Sequence, residues 1–320
     1  MDFSADVLVA PPPADVGTGW GDALDWDPAV WLGGLAARAL HVEAELTPKP
    51  GLADTLNRGV NRDLSVELLS LGADALAPWF VTLARLGERG VGWPDIQACG
   101  RAAETAALGA TGGIATHRGV LFSLGWLCVA AGQCLAEDAP LTVKTLAGRV
   151  AYLVRPVLRQ WLAQPWRAGP GGTAIAPECG QRILATYGLT GLRGEVAAGF
   201  ATVRQHGLPA YQAALERGWS ETDALLWALV GLMAHNDDTS LVARGGLAGL
   251  RRVQGWAGRV AMTQPSPEAL RVALTEADTC FRRARLCPAG SAHLLAVTWW
   301  LVQVTRPMPA CGLASSPSIT

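Results

Sequence analysis

Apolar residues recur at steps of three and four along most of the chain. The first such run follows Asp27-Pro28 and consists of Leu32, Leu35, Ala39, Val42 and Leu46. This spacing is typical of an amphipathic helix. Asp27 and Pro28 predict where it starts, because aspartate caps a helix and proline suits its first position. The segment 47–51, with two prolines and a glycine, predicts where it ends.

The same pattern recurs further along, and no segment alternates between apolar and polar residues over the length of a strand. Helices are predicted over 64–86, 94–108, 119–135, 142–162, 197–205, 208–216, 222–233, 240–260, 267–285 and 291–304. We therefore expect an all-α fold, with a single multi-helix globular domain over 27–306 and an active site at its helix junctions. Residues 1–26 are predicted to form a flexible N-terminal arm, and 307–320 a C-terminal tail.

Composition agrees with a helical fold and limits the partners. Half of the residues are hydrophobic and 17% are charged, while Tyr and Phe, which favour strands, number only 3 and 5. A net charge of −1 argues against duplex nucleic acid or an anionic membrane as a partner. A small anionic substrate stays open, because it needs only a local cluster of cations.

Cysteine usage and the apolar runs bear on the cellular location. The 7 cysteines include no C-x-x-C pair, which predicts reduced core thiols in a cytosolic protein. The first residues lack the basic and apolar regions of a signal peptide. Two runs without charged residues, 119–136 and 286–305, contain glycine and glutamine and are predicted to be buried helices rather than membrane spans. We expect a cytoplasmic protein.

The residues that suggest chemistry lie at helix junctions. At the first junction, two prolines flank Lys49 in a stiff turn that would present its ammonium group. Carboxylates at Glu43, Asp54 and Asp63 could hold a hard cation through oxygen ligands. A helix end followed by solvated surface charge is the alternative interpretation.

The second junction lies directly before a strongly apolar helix and reads Thr111-Gly112-Gly113-Ile-Ala-Thr116-His117-Arg118-Gly119. A glycine pair lets backbone N–H groups approach an anion, and a helix N-terminus favours negative charge. His117 and Arg118 would add donors at the same place. The stretch is not a Walker A loop, which needs G-x-x-x-x-G-K-[ST]. The alternative is a glycine turn capped by Thr116.

Two later junctions combine carboxylates with cations. One contains Arg193 and Glu195 among glycines, and the other is Asn236-Asp237-Asp238-Thr239, followed by Arg244. Asp238 is placed to cap the next helix, which leaves Asp237 for a metal or a cation. Taken together, the junctions indicate a site for a polyphosphate bridged by Mg²⁺, but they do not indicate a reaction.

Four strings resemble the triphosphoribosyl-dephospho-CoA synthase family, in the same order along the chain. They are Thr-Pro-Lys-Pro-Gly-Leu-x-Asp at 47–54 after Glu43, Thr-Gly-Gly-Ile-x-Thr-His-Arg-Gly at 111–119, Gly-Leu-Arg-Gly-Glu at 191–195 and Gly-Ser-Ala-x-Leu-Leu-Ala at 290–296. The resemblance runs from about residue 35 to about 302. It departs at Ala115 and His293, where the family usually has Asn and Asp, so neither residue inherits a role.

The resemblance implies an all-α enzyme that joins ribose C1 of ATP to the 2′-hydroxyl of 3′-dephospho-CoA and expels adenine. Its product would be the prosthetic-group precursor for an acyl-carrier subunit of malonate decarboxylase, which we favour, or of citrate lyase. ATP, 3′-dephospho-CoA and Mg²⁺ are the implied substrates and cofactor. A downstream transferase is an indirect partner, and a homodimer is one arrangement open to the chain.

The resemblance and the chemistry together suggest roles. A carboxylate, Asp54 or Glu195, would stabilise positive charge on the ribose, as in glycosidases, and His117 is a candidate acid or base. Substrate contacts are predicted for Lys49, Thr111, Gly112, Gly113, Thr116, His117, Arg118, Arg193 and Arg244, and metal contacts for Glu43, Asp54, Asp63 and Asp237. Two alternatives stay open: a helical metal-dependent nucleotide hydrolase, and a non-catalytic helical interaction module using the 13 Trp.

Overall fold

The computed structural model describes residues 27–163 and 178–306, and within these ranges the fold is all-α, as predicted. The helices are α1 (Pro28–Glu45), α2 (Val66–Glu88), α3 (Trp93–Ala110), α4 (Arg118–Ala136), α5 (Val143–Leu162), α6 (Glu178–Tyr187), α7 (Gly191–Ala197), α8 (Leu208–Glu216), α9 (Glu221–His235), α10 (Thr239–Thr263), α11 (Pro267–Arg283) and α12 (Ala289–Thr305). A π-helical turn, Val203–Gly207, precedes α8. The predicted arm 1–26 and tail 307–320 lie outside the described residues.

The predicted helix starts are confirmed where a cap defines them. Oδ1 of Asp27 accepts hydrogen bonds from the backbone N–H of Ala29 at 2.8 Å and of Val30 at 3.2 Å. Ser266 caps α11 in the same way, by accepting from the N–H of Ala269. Each cap satisfies N–H groups that have no partner within the helix.

The region between α5 and α8 differs from the prediction. The sequence predicts a helix over 197–205, whereas α7 ends at Ala197 and the chain turns through Gly199 and Phe200, both with positive φ. The helices α6 and α7 were not predicted, because α6 is short and α7 contains two glycines, which have low helix propensity. Tertiary packing therefore decides the structure here.

The core is built around α4, α9 and α12, which are apolar on nearly all sides. Trp300 of α12 is fully buried, and its indole N–H donates to the carbonyl oxygen of Leu32 at 3.3 Å. The runs 119–136 and 286–305 thus belong to buried helices, as predicted. By length and composition alone, α2 and α4 are apolar enough to cross a membrane, and 72% of the α4 window lies inside the protein.

The cysteines in the described ranges are free thiols, as predicted, although not all lie in the core. Cys99, Cys128, Cys134 and Cys287 are buried, whereas Cys280 is exposed. Burial raises the pKa of Cys99 to about 11 and that of Cys287 to about 12.

Candidate active site

The predicted junctions meet around the first turn of α4, and glycines allow this close approach. A Cβ on Gly119 would lie 2.7 Å from Nδ1 of His293 on α12. A Cβ on Gly191 would lie 2.7 Å from Oγ1 of Thr239, and one on Gly290 would lie 2.8 Å from Oδ1 of Asp238. The starts of α4, α7, α10 and α12 therefore pack against one another at distances that only glycine permits.

A cavity that is partly open to solvent lies between α1, α4, α12 and the segment that joins α1 to α2. We call it the junction cavity. Most of its lining is aliphatic. The polar groups on its wall are those of Glu43, Asn61, Thr116, His117, Cys287 and His293.

His117 is the N-cap residue of α4 and is only 4% exposed. Its Nδ1 lies 2.8 Å from Oγ1 of Thr116, while its Nε2 is buried without a hydrogen-bond partner. Burial lowers the pKa of His117 to about 4, although the charge of Glu43 opposes this shift. The imidazole is therefore neutral at pH 7, and it can offer a phosphate or a base a hydrogen bond but no charge.

Lys49 does not present its ammonium group to solvent, contrary to the prediction from its two prolines. The side chain is 1% exposed, and Nζ lies 2.7 Å from Oε1 of Glu43, with the Glu43 carbonyl oxygen also in contact. The ammonium group of Lys49 and the carboxylate of Glu43 therefore form an ion pair. The predicted phosphate contact of Lys49 stays a prediction, and its evident role is to fix the Glu43 carboxylate at the cavity wall.

Asp54 organises the segment after α1. Its Oδ2 accepts from the N–H of Lys49 at 2.9 Å, and its Oδ1 accepts from the N–H groups of Leu56 at 2.9 Å and Asn57 at 3.0 Å. Both carboxylate oxygens are occupied by backbone donors. This leaves little capacity for the predicted metal or catalytic contact.

Asp278 of α11 has a matching structural role that sequence reasoning missed. It accepts from the N–H of Gly51 at 2.9 Å, the side-chain amide of Asn57 at 3.1 Å and Nε of Arg282 at 2.8 Å. These bonds hold the segment after α1 against a helix more than two hundred residues away.

The predicted metal ligands are dispersed. Glu43 lines the cavity, Asp54 is bonded to backbone, Asp63 is exposed, and Asp237 is exposed at the α9–α10 junction. Among the described residues, no group of three or more His, Cys, Asp or Glu side chains is arranged to hold a metal ion. A magnesium ion that keeps most of its contacts to water and phosphate needs only one or two protein carboxylates.

The glycine turn before α4 is open to solvent. Gly112 (φ +63°) and Gly113 (φ +88°) are exposed, and a Cβ on either would have no atom within 4 Å. The buried Thr111 hydroxyl closes the turn, within hydrogen-bond distance of the carbonyl oxygens of Ala107 and Ile114. Thr116 does not cap α4, and no side chain accepts from the first turn, so its N–H groups face the turn without a capping partner.

Two guanidinium groups lie beside this turn. Arg118, the first residue of α4, is about half exposed and pairs with Glu104 of α3. Arg193 of α7 stacks on Trp161, with 4.7 Å between its Cζ and the ring centroid. Partial burial and the charge of Arg118 lower the pKa of Arg193, so the two cations are close enough to repel each other. We call Gly112, Gly113, Arg118 and Arg193 the cationic face.

Glu195 lies on α7 near the exposed Asp237. Its carboxylate accepts from the hydroxyl of Thr202 at 2.6 Å and from the N–H of the same residue at 3.1 Å. Burial raises the pKa of Glu195, and the charge of Asp237 adds to the increase, although the Thr202 hydrogen bonds oppose it. A carboxyl group with a raised pKa is suited to proton transfer.

Asp238 is confirmed as the N-cap of α10. Its Oδ1 accepts from the N–H of Ser240 at 2.9 Å, and its Oδ2 accepts from the N–H of Ser291 at 2.8 Å. One carboxylate therefore joins the starts of α10 and α12. On α12, His293 faces the junction cavity; burial lowers its pKa, and the charges of Glu43 and Asp238 oppose that shift.

Arg244 reaches the same region through Asn61. Its Nη2 donates to Oδ1 of Asn61, a residue of the cavity wall. The structure thus brings Glu43, His117 and Arg244 to the cavity and Arg118 and Arg193 to the cationic face. The signal for the missed His293 was its place in the first turns of an apolar helix, α12.

A helical domain that gathers imidazole, carboxylate and guanidinium groups around one helix start, beside a cavity, is typical of an enzyme site rather than of a helical interaction module. Residues 29–311 match the family described as ATP:dephospho-CoA triphosphoribosyl transferase. The chain belongs to this transferase family, as the four sequence strings predicted.

The chain is also similar to named relatives over most of its length. A 2-(5''-triphosphoribosyl)-3'-dephosphocoenzyme-A synthase of Pectobacterium atrosepticum is 41% identical over 271 residues, which cover 83% of this chain and 86% of the relative. Relatives with the same name, qualified as probable, are 38% identical in Albidiferax ferrireducens (88% and 92% covered) and in Vibrio cholerae serotype O1 (86% and 88% covered). No solved structure matches the chain.

Proposed function

We propose that the protein transfers the triphosphoribosyl group of ATP to the 2′-hydroxyl of 3′-dephospho-CoA and releases adenine. Family membership over residues 29–311 is the observation that carries this proposal. In the reaction, the bond from ribose C1 to the adenine nitrogen breaks and a bond from C1 to the 2′-oxygen forms. The hydroxyl proton passes to a base, and adenine leaves with a proton.

The triphosphate belongs on the cationic face. The uncapped first turn of α4 suits an anion, and the open space around Gly112 and Gly113 lets one approach. The N–H groups of the two glycines themselves donate to the carbonyl oxygens of Gly109 and Leu108, contrary to the predicted backbone contact. Arg118 and Arg193 add charge-assisted hydrogen bonds, which are about twice as strong as neutral ones. A bound polyanion also relieves the repulsion between the two guanidinium groups.

Magnesium enters, in this proposal, as part of the ATP substrate. The ion would bridge triphosphate oxygens and take at most one or two carboxylates from the protein. Asp237 is the best placed of the predicted ligands, because it is exposed, its carboxylate makes no hydrogen bond within the described part of the chain, and it lies close enough to Glu195 to raise the pKa of that residue.

Departure of adenine leaves positive charge on the ribose, which a carboxylate can stabilise. Glu43 at the cavity wall and Glu195 on α7 are placed for this, whereas Asp54 is held by three backbone N–H groups. The base that accepts the hydroxyl proton must be unprotonated, and the neutral imidazoles of His117 and His293 meet that condition.

Product analysis tests the proposal. Incubated with Mg-ATP and 3′-dephospho-CoA, the protein should release adenine in step with the new coenzyme derivative, and chromatography would separate the products. ADP, AMP or pyrophosphate as the stoichiometric product would contradict the proposal. Adenine or phosphate release that does not need 3′-dephospho-CoA would indicate a nucleotide hydrolase.

We also propose a cytoplasmic location and an acyl-carrier protein of malonate decarboxylase, rather than of citrate lyase, as the final acceptor of the product. The choice of carrier follows the overall impression of the sequence and no single diagnostic residue. Offering the product and a downstream transferase to both apo-carriers tests it, and faster loading of the citrate lyase carrier would contradict it.

A further inference from the structure

The junction cavity lies next to the cationic face but has the opposite electrostatic character. Among its lining residues, Glu43 alone carries a formal charge, since both imidazoles are neutral at pH 7. The nearby Lys49 ammonium is neutralised by Glu43. A phosphate group would meet the Glu43 carboxylate on this wall, while the nearby Arg244 does not line the cavity and is engaged by Asn61, so the cavity disfavours phosphate.

The cavity suits a flat, uncharged and polar-edged ring. Aliphatic walls, including Leu64, Leu69 and Val120, can cover the faces of a ring. The side chains of Asn61, His117 and His293 provide hydrogen-bond donors and acceptors for its edge. Predominantly apolar walls with a few placed polar groups are typical of small-molecule sites.

His117 lines the cavity and contains a polar atom with no hydrogen-bond partner. Its Nε2 has no partner and is shielded from water, which is costly by roughly 1–3 kcal/mol. A neutral imidazole nitrogen donates or accepts according to the tautomer, and adenine has both ring nitrogens and an amino group. A bound purine would therefore satisfy Nε2 in either tautomer after a small rotation of the ring.

We propose that the junction cavity binds an adenine ring, with His117 as its main polar contact. This inference rests on the proposed function, in which both substrates contain adenine. Because His117 and Arg118 are adjacent, a nucleotide at the start of α4 could place its base in the cavity and its phosphates on the cationic face. A pantetheine chain is also neutral, but it lacks the rigid polar edge that the fixed side chains of the cavity would match.

Binding of free adenine to the full-length protein, measured by calorimetry, tests the inference without relying on turnover. His117→Leu should weaken adenine binding at least about tenfold and leave thermal stability unchanged or raised, because it removes an unpaired buried nitrogen. Ala289→Leu, at the first position of α12 on the cavity wall, should weaken binding similarly by filling space. Ala269→Leu, at an exposed position in the first turn of α11, is the matched control and should change nothing.

Inhibition kinetics then identify the source of the ring. Adenine that competes with ATP places the donor base in the cavity, and adenine that competes with 3′-dephospho-CoA places the acceptor base there. No adenine binding, binding unaffected by both cavity variants, or loss of pantetheine binding instead of adenine binding would overturn the inference. If the cavity variants bind adenine normally and the protein still releases adenine during turnover, the cavity assignment is wrong and the proposed function stands. The reverse result, cavity-dependent adenine binding without transfer, would refute the function alone.

Discussion

The two sides of the start of α4 differ sharply in exposure and charge, although the neighbouring residues His117 and Arg118 form them. On the cationic face, Arg118 is about half exposed and the glycines before it have open space around them. On the cavity side, His117 is buried, neutral and short of a hydrogen-bond partner. The difference shows how a single motif can serve two kinds of ligand group, with exposed charge for a polyanion and enclosed hydrogen bonding for a neutral ring.

The largest expected effect shows whether Lys49 stabilises the fold or binds a ligand. Lys49→Met should lower the free energy of unfolding by roughly 3–5 kcal/mol, because it leaves the Glu43 carboxylate partly buried and unpaired. Chemical denaturation would measure this loss. Lys49→Met combined with Glu43→Leu should recover much of the stability. A Lys49→Met protein of normal stability that has lost ATP affinity would show instead that Lys49 binds phosphate.

The lowered pKa of His117 predicts that the protein loses stability in acid. The folded pKa of about 4 lies below the unfolded value of about 6.5, so the unfolded state binds the proton more readily. This stability is complete above pH 6.5 and is lost as the pH falls toward 4, by up to about 3 kcal/mol. Comparing wild type with His117→Gln by denaturation at several pH values measures it. If the free energy of unfolding of both proteins depends equally on pH between 4 and 6.5, the burial of a neutral imidazole is contradicted.

Arg118→Ala should act on binding rather than on folding. ATP affinity should fall by roughly 1.5–3 kcal/mol through loss of a charge-assisted hydrogen bond, with the deficit shrinking at high salt. Thermal stability should change little, because an exposed pair such as Arg118–Glu104 is worth about 0–1 kcal/mol. Arg149→Ala on α5 is the control, because it removes a comparable pair with Glu137 at the end of α4. Unchanged ATP affinity in Arg118→Ala would make the turn structural.

The sequence predicted much of the fold, because buried helices repeat their apolar residues with a clear period. The capping residue Asp27 even located a helix start. The region of α6 and α7 escaped prediction because short, glycine-containing helices depend on their neighbours. Gly191, the first residue of α7, has a positive φ and lies where no side chain fits against Thr239.

The sequence predicted many residues of the site but not which of them bind one another. The turn before α4 was recognisable because glycines and donors precede an apolar helix. Nothing in the spacing showed that Lys49 folds back onto Glu43, or that Asp54 is used by three backbone N–H groups. Asp278 looked like any acidic residue four positions before an arginine on an amphipathic helix. Long-range partners of this kind follow from tertiary packing alone.

The most direct test of the account measures two fragments of ATP on two variants. Inhibition constants for adenine and for inorganic tripolyphosphate would be determined for wild type, His117→Leu and Arg118→Ala. We expect His117→Leu to weaken adenine at least about tenfold and to leave tripolyphosphate within about twofold, with the opposite pattern in Arg118→Ala. If both variants weaken both fragments to the same extent, the two sides of the α4 start do not divide the substrate, and the account is wrong.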